Sequence, residues 1–182
     1  EMDRLALPDA IFGSNTSQYS ITALAAVTKR PSKVIGTHFF NPPVMMRLIE
    51  VVRGLETSEE TLRVTLEISH KMRKEVVVCK NSQGFVTTRL INVFINEAER
   101  ILEEGIATAE DIDKACRLAF NHPMGPFELS DFSGLDTRFN VTKALEDAFG
   151  NRFKPRQTLR NYVQAGRLGR KAGRGFFDYT KG

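Results

Sequence analysis

Cysteine is scarce in this sequence. Cys79 and Cys116 stand far apart in a chain of 182 residues, without the CxxC or Cys/His spacing of a metal site or a disulfide framework. Each has apolar neighbours (Val76-Val77-Val78 before one, Ala115 before the other), so both are expected as buried, reduced thiols in a cytoplasmic protein. Long hydrophobic runs are also missing. The longest, Ala23-Leu24-Ala25-Ala26-Val27, has five residues against the ~20 that a membrane-spanning helix needs, so no membrane partner is expected. No run of charged, then apolar, then small residues opens the sequence, and no secretory leader is expected. Nor does charge of one sign dominate. Lys and Arg total 26 and Asp and Glu 22, leaving +4, a mild basicity that suits anionic partners, phosphorylated cofactors among them, without singling out nucleic acid.

What is present is ordinary for a globular protein: 41% hydrophobic and 26% charged residues, which excludes a disordered tail, a collagen-like fibre and a disulfide miniprotein. The length exceeds a typical domain of ~100–150 residues and falls short of two, so one full domain or two partial ones is expected. The first residue is Glu1 rather than methionine, and the chain is expected to be a trimmed piece of a longer protein.

The character of the sequence changes near residue 81. Before it, short β-rich runs at 10–12, 34–40, 48–52 and 76–79 alternate with helical stretches at 21–28 and 59–74, the pattern of the later part of an α/β sheet domain. Thr57 with Glu60 has capping-box spacing for the second helix. After Gly84 the pattern turns wholly helical. Val86, Leu90, Phe94, Ala98 and Ile101 form one stripe, ended by Gly105. Thr108 opens a helix with the stripe Ile112, Ala115, Cys116 and Ala119. Leu135, Phe139, Thr142, Leu145 and Phe149 trace a further face, and Pro155 suits a last helix start, with Leu159, Tyr162 and Val163 buried.

Three places could carry chemistry. Ser14-Asn15-Thr16-Ser17 directly follows a strand, at the sheet edge where α/β folds contact ligands; the same residues also suit a helix cap before Ile21. His38 and Glu50 lie twelve residues apart, in two strand-like runs separated by Pro42-Pro43. Antiparallel pairing about Val44 sets them opposite one another, close enough for imidazole and carboxylate to meet. That pairing suits a general base, and a packed core histidine is the alternative. His70, on a charged helix face, is expected in solvent, and His122 in a packing or capping role; no spacing suggests a metal. The stretch from Gly166 to Gly175 sets four cations among glycines, either a basic arm for nucleic acid or pyrophosphate or a solvated loop; no aromatic residue interleaves to stack bases.

Taken in order, Ser14-Asn15-Thr16-Ser17, His38-Phe39-Phe40-Asn41-Pro42, Leu48-Ile49-Glu50-Val51, Gly84-Phe85, Pro123-Met124-Gly125-Pro126-Phe127-Glu128-Leu129, Gly134-Leu135-Asp136 and Gly175-Phe176-Phe177 resemble the NAD-dependent L-3-hydroxyacyl-CoA dehydrogenases. The resemblance runs from about residue 10 to 180. It implies an α/β plus all-α fold, with the C-terminal remnant of a Rossmann-type NAD-binding domain at 1–82. A helical substrate and dimerisation domain, like the C-terminal domain of 6-phosphogluconate dehydrogenase, would follow at 83–182.

The same resemblance implies His38 as general base and Glu50 as its orienting partner. Ser17, Asn41 and Thr88 are implied as substrate contacts, and Asn15, Ser17, Asn41 and Lys171 as cofactor contacts. NAD, an acyl-CoA substrate and a homodimer through the helical domain follow from it, in the cytoplasm and in β-oxidation-type chemistry. Two residues depart from the family pattern: Thr88 replaces a usual Asn, and Gln83 a usual Pro. The family's Gly-x-Gly-x-x-Gly turn, which holds the cofactor pyrophosphate, follows no strand here. Most of the N-terminal Rossmann domain is therefore expected to be lacking and the isolated piece to be inactive. A non-catalytic dimerisation module is the second reading, and a basic nucleic-acid binder the third.

Overall fold

The computed structural model describes residues 1–180. They form two compact units, Glu1–Thr88 and the described residues from Arg89 onward. In the first unit a short helix α1 (Met2–Leu5) precedes strand β1 (Phe12–Ser14), helix α2 (Ile21–Ala26) and strands β2 (Val34–Phe39) and β3 (Leu48–Arg53). Helix α3 (Glu59–Lys71) and strand β4 (Glu75–Lys80) follow. The sheet runs β1-β2-β3-β4. The β1–β2 and β3–β4 pairs are parallel, each crossing over through a helix, while β2 and β3 form an antiparallel hairpin. This is the expected α/β alternation, with β1 two residues later than the apolar run suggested.

Ile21 and Ala25 of α2, Val34 of β2, Val52 of β3 and Phe85 make the buried cluster, with Phe12, Leu24 and Cys79 packed on it. Helix α3 lies on the sheet with small hydroxyl residues, Thr61, Thr65 and Ser69. Their side chains bond back to Ser32, Thr61 and Thr65 carbonyls, so a polar face is buried with its hydrogen bonds satisfied. Its cap is Ser58, which accepts from the Thr61 N–H, not Thr57. The Thr57 hydroxyl instead donates to the Val34 carbonyl and accepts from the Gly54 N–H, because tertiary partners in β2 and the β3 turn were within reach. Helix α2 is likewise capped by Ser20, one residue before Ile21, rather than by Ser14 to Ser17.

The second unit is helical. Helix α4 (Thr87–Glu103) runs into it from the first, followed by α5 (Ala109–Ala119), α6 (Pro126–Ser133), α7 (Leu135–Phe149) and α8 (Gln157–Gln164). Thr108 caps α5 as expected. The last helix starts two residues after Pro155, and of its three expected core residues only Leu159 is fully buried.

Two apolar stripes are corrected. On α4 the buried residues are Asn92, Ile95, Asn96, Ala98 and Glu99, while Leu90 stays 66% exposed. On α5 they are Ile112, Asp113 and Cys116, with Ala115 and Ala119 outside. Polar residues turn inward because partners meet them. Arg138 of α7 reaches Glu99 and Asn96, and Thr142 reaches Asn92.

Candidate active site

The hairpin of β2 and β3 sets the register His38↔Glu50, the pairing expected from their spacing. His38 Nδ1 lies 2.7 Å from Glu50 Oε2. Glu50 is completely buried and His38 is 8% exposed. The second carboxylate oxygen, Oε1, accepts the backbone N–H of Thr87 at 2.8 Å and of Val86 at 3.2 Å. Burial pushes the Glu50 carboxyl up, but the His38 hydrogen bond and the Thr87 backbone N–H outweigh it, so the group lies below its ordinary value. An ionised Glu50 accepts only, so Nδ1 carries a proton and Nε2 is the nitrogen left to exchange one. Phe40 and Phe85 flank the imidazole with ring centroids at 4.8 and 5.7 Å. The arrangement leaves a single imidazole nitrogen for proton exchange, aligned by a buried carboxylate and walled by apolar rings.

The remaining expected site residues divide. Asn15 follows β1, and its Oδ1 accepts the Phe39 N–H at 2.8 Å, which pins the β1 loop beside His38. Ser17 is half-buried in the same turn, which Thr16 stabilises by accepting from Gln18 and Tyr19 N–H groups. Asn41 is exposed where β2 runs into the hairpin loop. Thr88 directly follows the residue whose N–H holds Glu50. Lys171 lies in the helical unit, where both carboxylate oxygens of Asp136 hold its Nζ, at 2.6 and 2.7 Å.

The glycine-rich cationic stretch is neither an arm nor a loose loop. Arg167 donates to the Gly175 carbonyl and covers the Tyr162 ring, and Arg170 pairs with Glu128. A Cβ on Gly175 would stand 1.9 Å from an Asp131 oxygen. The glycine therefore allows Asp131 to take the N–H groups of Phe176 and Phe177, both at 2.9 Å.

Sequence reasoning did not find the two rings beside His38 or the amides on Glu50. Gly84-Phe85 marked the place, but backbone N–H groups are common to nearly all residues and leave no trace in residue identity. Among the described residues no cluster of three or more His, Cys, Asp or Glu suits a metal ion, and no helix is long and apolar enough to cross a membrane. Clefts of about 240 and 700 Å³ occur in the helical unit; neither is lined by His38 or Glu50.

A mixed sheet with crossover helices, a histidine–carboxylate pair at its hairpin and a following helical unit define a Rossmann-like NAD-binding domain joined to a helical domain. The chain belongs to the 3-hydroxyacyl-CoA dehydrogenase family: residues 1–82 match the model of that family's NAD binding domain, and residues 84–179 its C-terminal domain. It is 48% identical over 181 residues to a probable 3-hydroxybutyryl-CoA dehydrogenase of Bacillus subtilis, covering 99% of this chain and 63% of that protein. Mitochondrial hydroxyacyl-coenzyme A dehydrogenase of Sus scrofa is 41% identical over 180 residues, with 98% and 57% covered. The crystal structure of (S)-3-hydroxybutyryl-CoA dehydrogenase from Ralstonia eutropha superposes with a TM-score of 0.95 at 44% identity, covering 99% of this chain and 64% of that one. The chain thus spans under two thirds of the length of these relatives. Both family domains are nevertheless represented in it, which corrects the expectation that most of the first is lacking.

Proposed function

We propose that this chain carries the proton-transfer machinery of an NAD-dependent dehydrogenase that interconverts L-3-hydroxyacyl-CoA and 3-ketoacyl-CoA. The observation that carries the reading is the buried Glu50 carboxylate on His38 Nδ1 at 2.7 Å, which leaves Nε2 as the base. His38 takes the 3-hydroxyl proton at Nε2 as the C3–H bond breaks and the carbonyl forms. Glu50 stabilises the imidazolium as it develops, and the Phe40 and Phe85 rings keep water from the nitrogen. When bound, NAD supplies the acceptor for the hydride that leaves C3. The residues present suit the reacting end of such a cofactor: Asn15 and Ser17 follow the end of β1 and Asn41 the end of β2, and Asn15 bonds the residue next to the base. In the reverse direction the imidazolium returns its proton to the new alkoxide.

Within this reading Ser17, Asn41 and Thr88 contact substrate, and Asn15, Ser17, Asn41 and Lys171 the cofactor, Lys171 first releasing Asp136. The domains are 1–82 and 83–182. The relatives named for 3-hydroxybutyryl-CoA make that short-chain thioester the first substrate to try. The protein works as a homodimer through its helical domain, supported by apolar side chains left outside, Leu90, Leu118 and Phe120 among them. A cytoplasmic location suits the two free cysteines.

The test is His38→Gln in this chain joined to a segment that can cradle a dinucleotide. It is assayed with a Gly-x-Gly-x-x-Gly segment present, since the 182 residues hold none and are inactive alone on this reading. NAD reduction with L-3-hydroxybutyryl-CoA should fall by ~10²-fold or more, the usual worth of a positioned general base. An unchanged rate would refute the role.

A further inference from the structure

The Glu50 carboxylate has two faces, and only one serves His38. Its Oε1 points at the start of α4, where the Val86 and Thr87 N–H groups converge on it. These two donors are among the four at a helix N-terminus that lack an intrahelical partner, and they carry the positive end of the helix dipole. The chain reaches this geometry through an unusual turn. Gly84 has φ +72° and Phe85, which is not glycine, φ +46°. Left-handed backbone at a bulky residue costs energy and persists only where surroundings hold it. Here burial holds it: Phe85 is 6% exposed, seated in the sheet–helix core and edge-on to the His38 ring. One residue therefore packs on the imidazole and aims the next two amides at the carboxylate.

We propose that the Val86–Thr87 amide pair, aimed by Phe85, is a positioning device that sets the pH at which the His38–Glu50 pair gives up its proton. The inference rests on the general-base reading above. The physical argument concerns net charge. The deprotonated pair carries one negative charge and the protonated pair none, so donors aimed at Glu50 favour the deprotonated, working form. The titratable groups facing the pair are few. Cys79 of β4 interacts with Glu50, and burial together with that charge pushes its thiol up to about 11, so it stays neutral where the pair titrates. The first turn of α4 holds no acidic residue, and its one charged residue, Arg89, has its guanidinium over the Phe149 ring at 3.8 Å. The Thr87 hydroxyl is buried beside Glu50 without meeting hydrogen-bond geometry, and its pull on the carboxyl is weaker than that of the Thr87 N–H, which leaves the backbone N–H as that residue's main hold on the carboxylate.

Thr87 is the first residue of α4, a position where proline is tolerated because no intrahelical N–H bond is lost. Thr87→Pro deletes the 2.8 Å bond, and Thr87→Val deletes only the hydroxyl. Glu50 is ionised on both sides of this titration, so the amide bond is present in both states and only its response to the pair's change of charge is read. Thr87→Pro should accordingly move the acid limb of the kcat/KM profile upward by about half a pH unit, while Thr87→Val leaves it in place. The same shift should appear in the imidazole NMR titration of the 182-residue chain, with His38 assigned by His38→Gln. That readout needs no turnover, so it tests the amide pair even if the proposed reaction is wrong. Equal midpoints for the proline and valine variants would overturn the proposal. Should Thr87→Pro fail to fold by circular dichroism, the unaltered chain decides. The Val86 and Thr87 amide protons must then titrate with the His38 midpoint and lose that response in Glu50→Gln; amides indifferent to it would overturn the proposal too.

Discussion

Glu50 is a charge with no exposed surface, and its stability depends on every partner it has. Burial alone would neutralise it. His38 on one oxygen and two backbone N–H groups on the other keep it ionised and below its ordinary value. The sign of the pH effect follows. A carboxyl whose folded-state pKa is depressed adds stability above its unfolded value, ~4.3, and that contribution is lost as pH falls through the folded value. The chain should therefore lose melting temperature below about pH 4.5, and Glu50→Gln should flatten that loss while lowering stability at pH 7. Melting curves from pH 3 to 7 check this, and parallel curves for the two proteins would contradict it. The His38–Glu50 contact was readable from the sequence because hairpin pairing has a strict two-residue alternation about its turn. The amides were not, because any residue other than proline supplies one.

Among the helices, caps and buried faces depend on partners outside the element. Gly125 precedes α6 and offers no side chain to cap it. Asp113 of α5 does so from twelve residues earlier, accepting the Phe127 and Glu128 N–H groups at 2.9 and 2.8 Å. A Cβ at Gly125 would stand 2.2 Å from the Asp113 carboxyl carbon, so the glycine is required for the cap to approach. Asp113→Ala should cost roughly 1–2 kcal/mol, the upper range for a lost cap, read as a lower midpoint in urea unfolding; no change would mean α6 is held by packing alone. The α4 stripe shows the same dependence. Apolar spacing selected Leu90, Phe94 and Ala98, whereas Asn92, Asn96 and Glu99 are the buried polar residues, because Arg138 and Thr142 lie 39 to 50 residues later. Breaking such a buried pair leaves an uncompensated charge, so these polar residues belong to the interior no less firmly than leucines would.

At the scale of the molecule, the helical unit leaves an apolar surface uncovered. Phe120 is 61% and Leu118 77% exposed, and Phe94, Phe120 and His122 form a ring cluster with centroids 5.3 to 6.4 Å apart. Aromatic residues in such patches are typical anchors of protein interfaces. If the proposed homodimer forms through this face, Phe120→Asp should weaken self-association at least ~10-fold, about 1.4 kcal/mol, in sedimentation equilibrium; an unaltered association state would rule this face out as its contact.

By itself the sequence determined the succession of an α/β unit and a helical unit, the hairpin register that joins His38 to Glu50, and the family to which the chain belongs. Those features rest on local periodicity, turn chemistry and ordered motifs, which neighbouring residues specify. Only the tertiary structure decided which face of α4 and α5 turns inward, which side chains cap α3 and α6, and that the cations from Arg167 to Lys171 are held by carboxylates and carbonyls. It also decided that Glu50 is held by a helix N-terminus. Each of these depends on a group brought close from elsewhere in the chain, and burial energetics then favour an arrangement in which most buried polar atoms find partners.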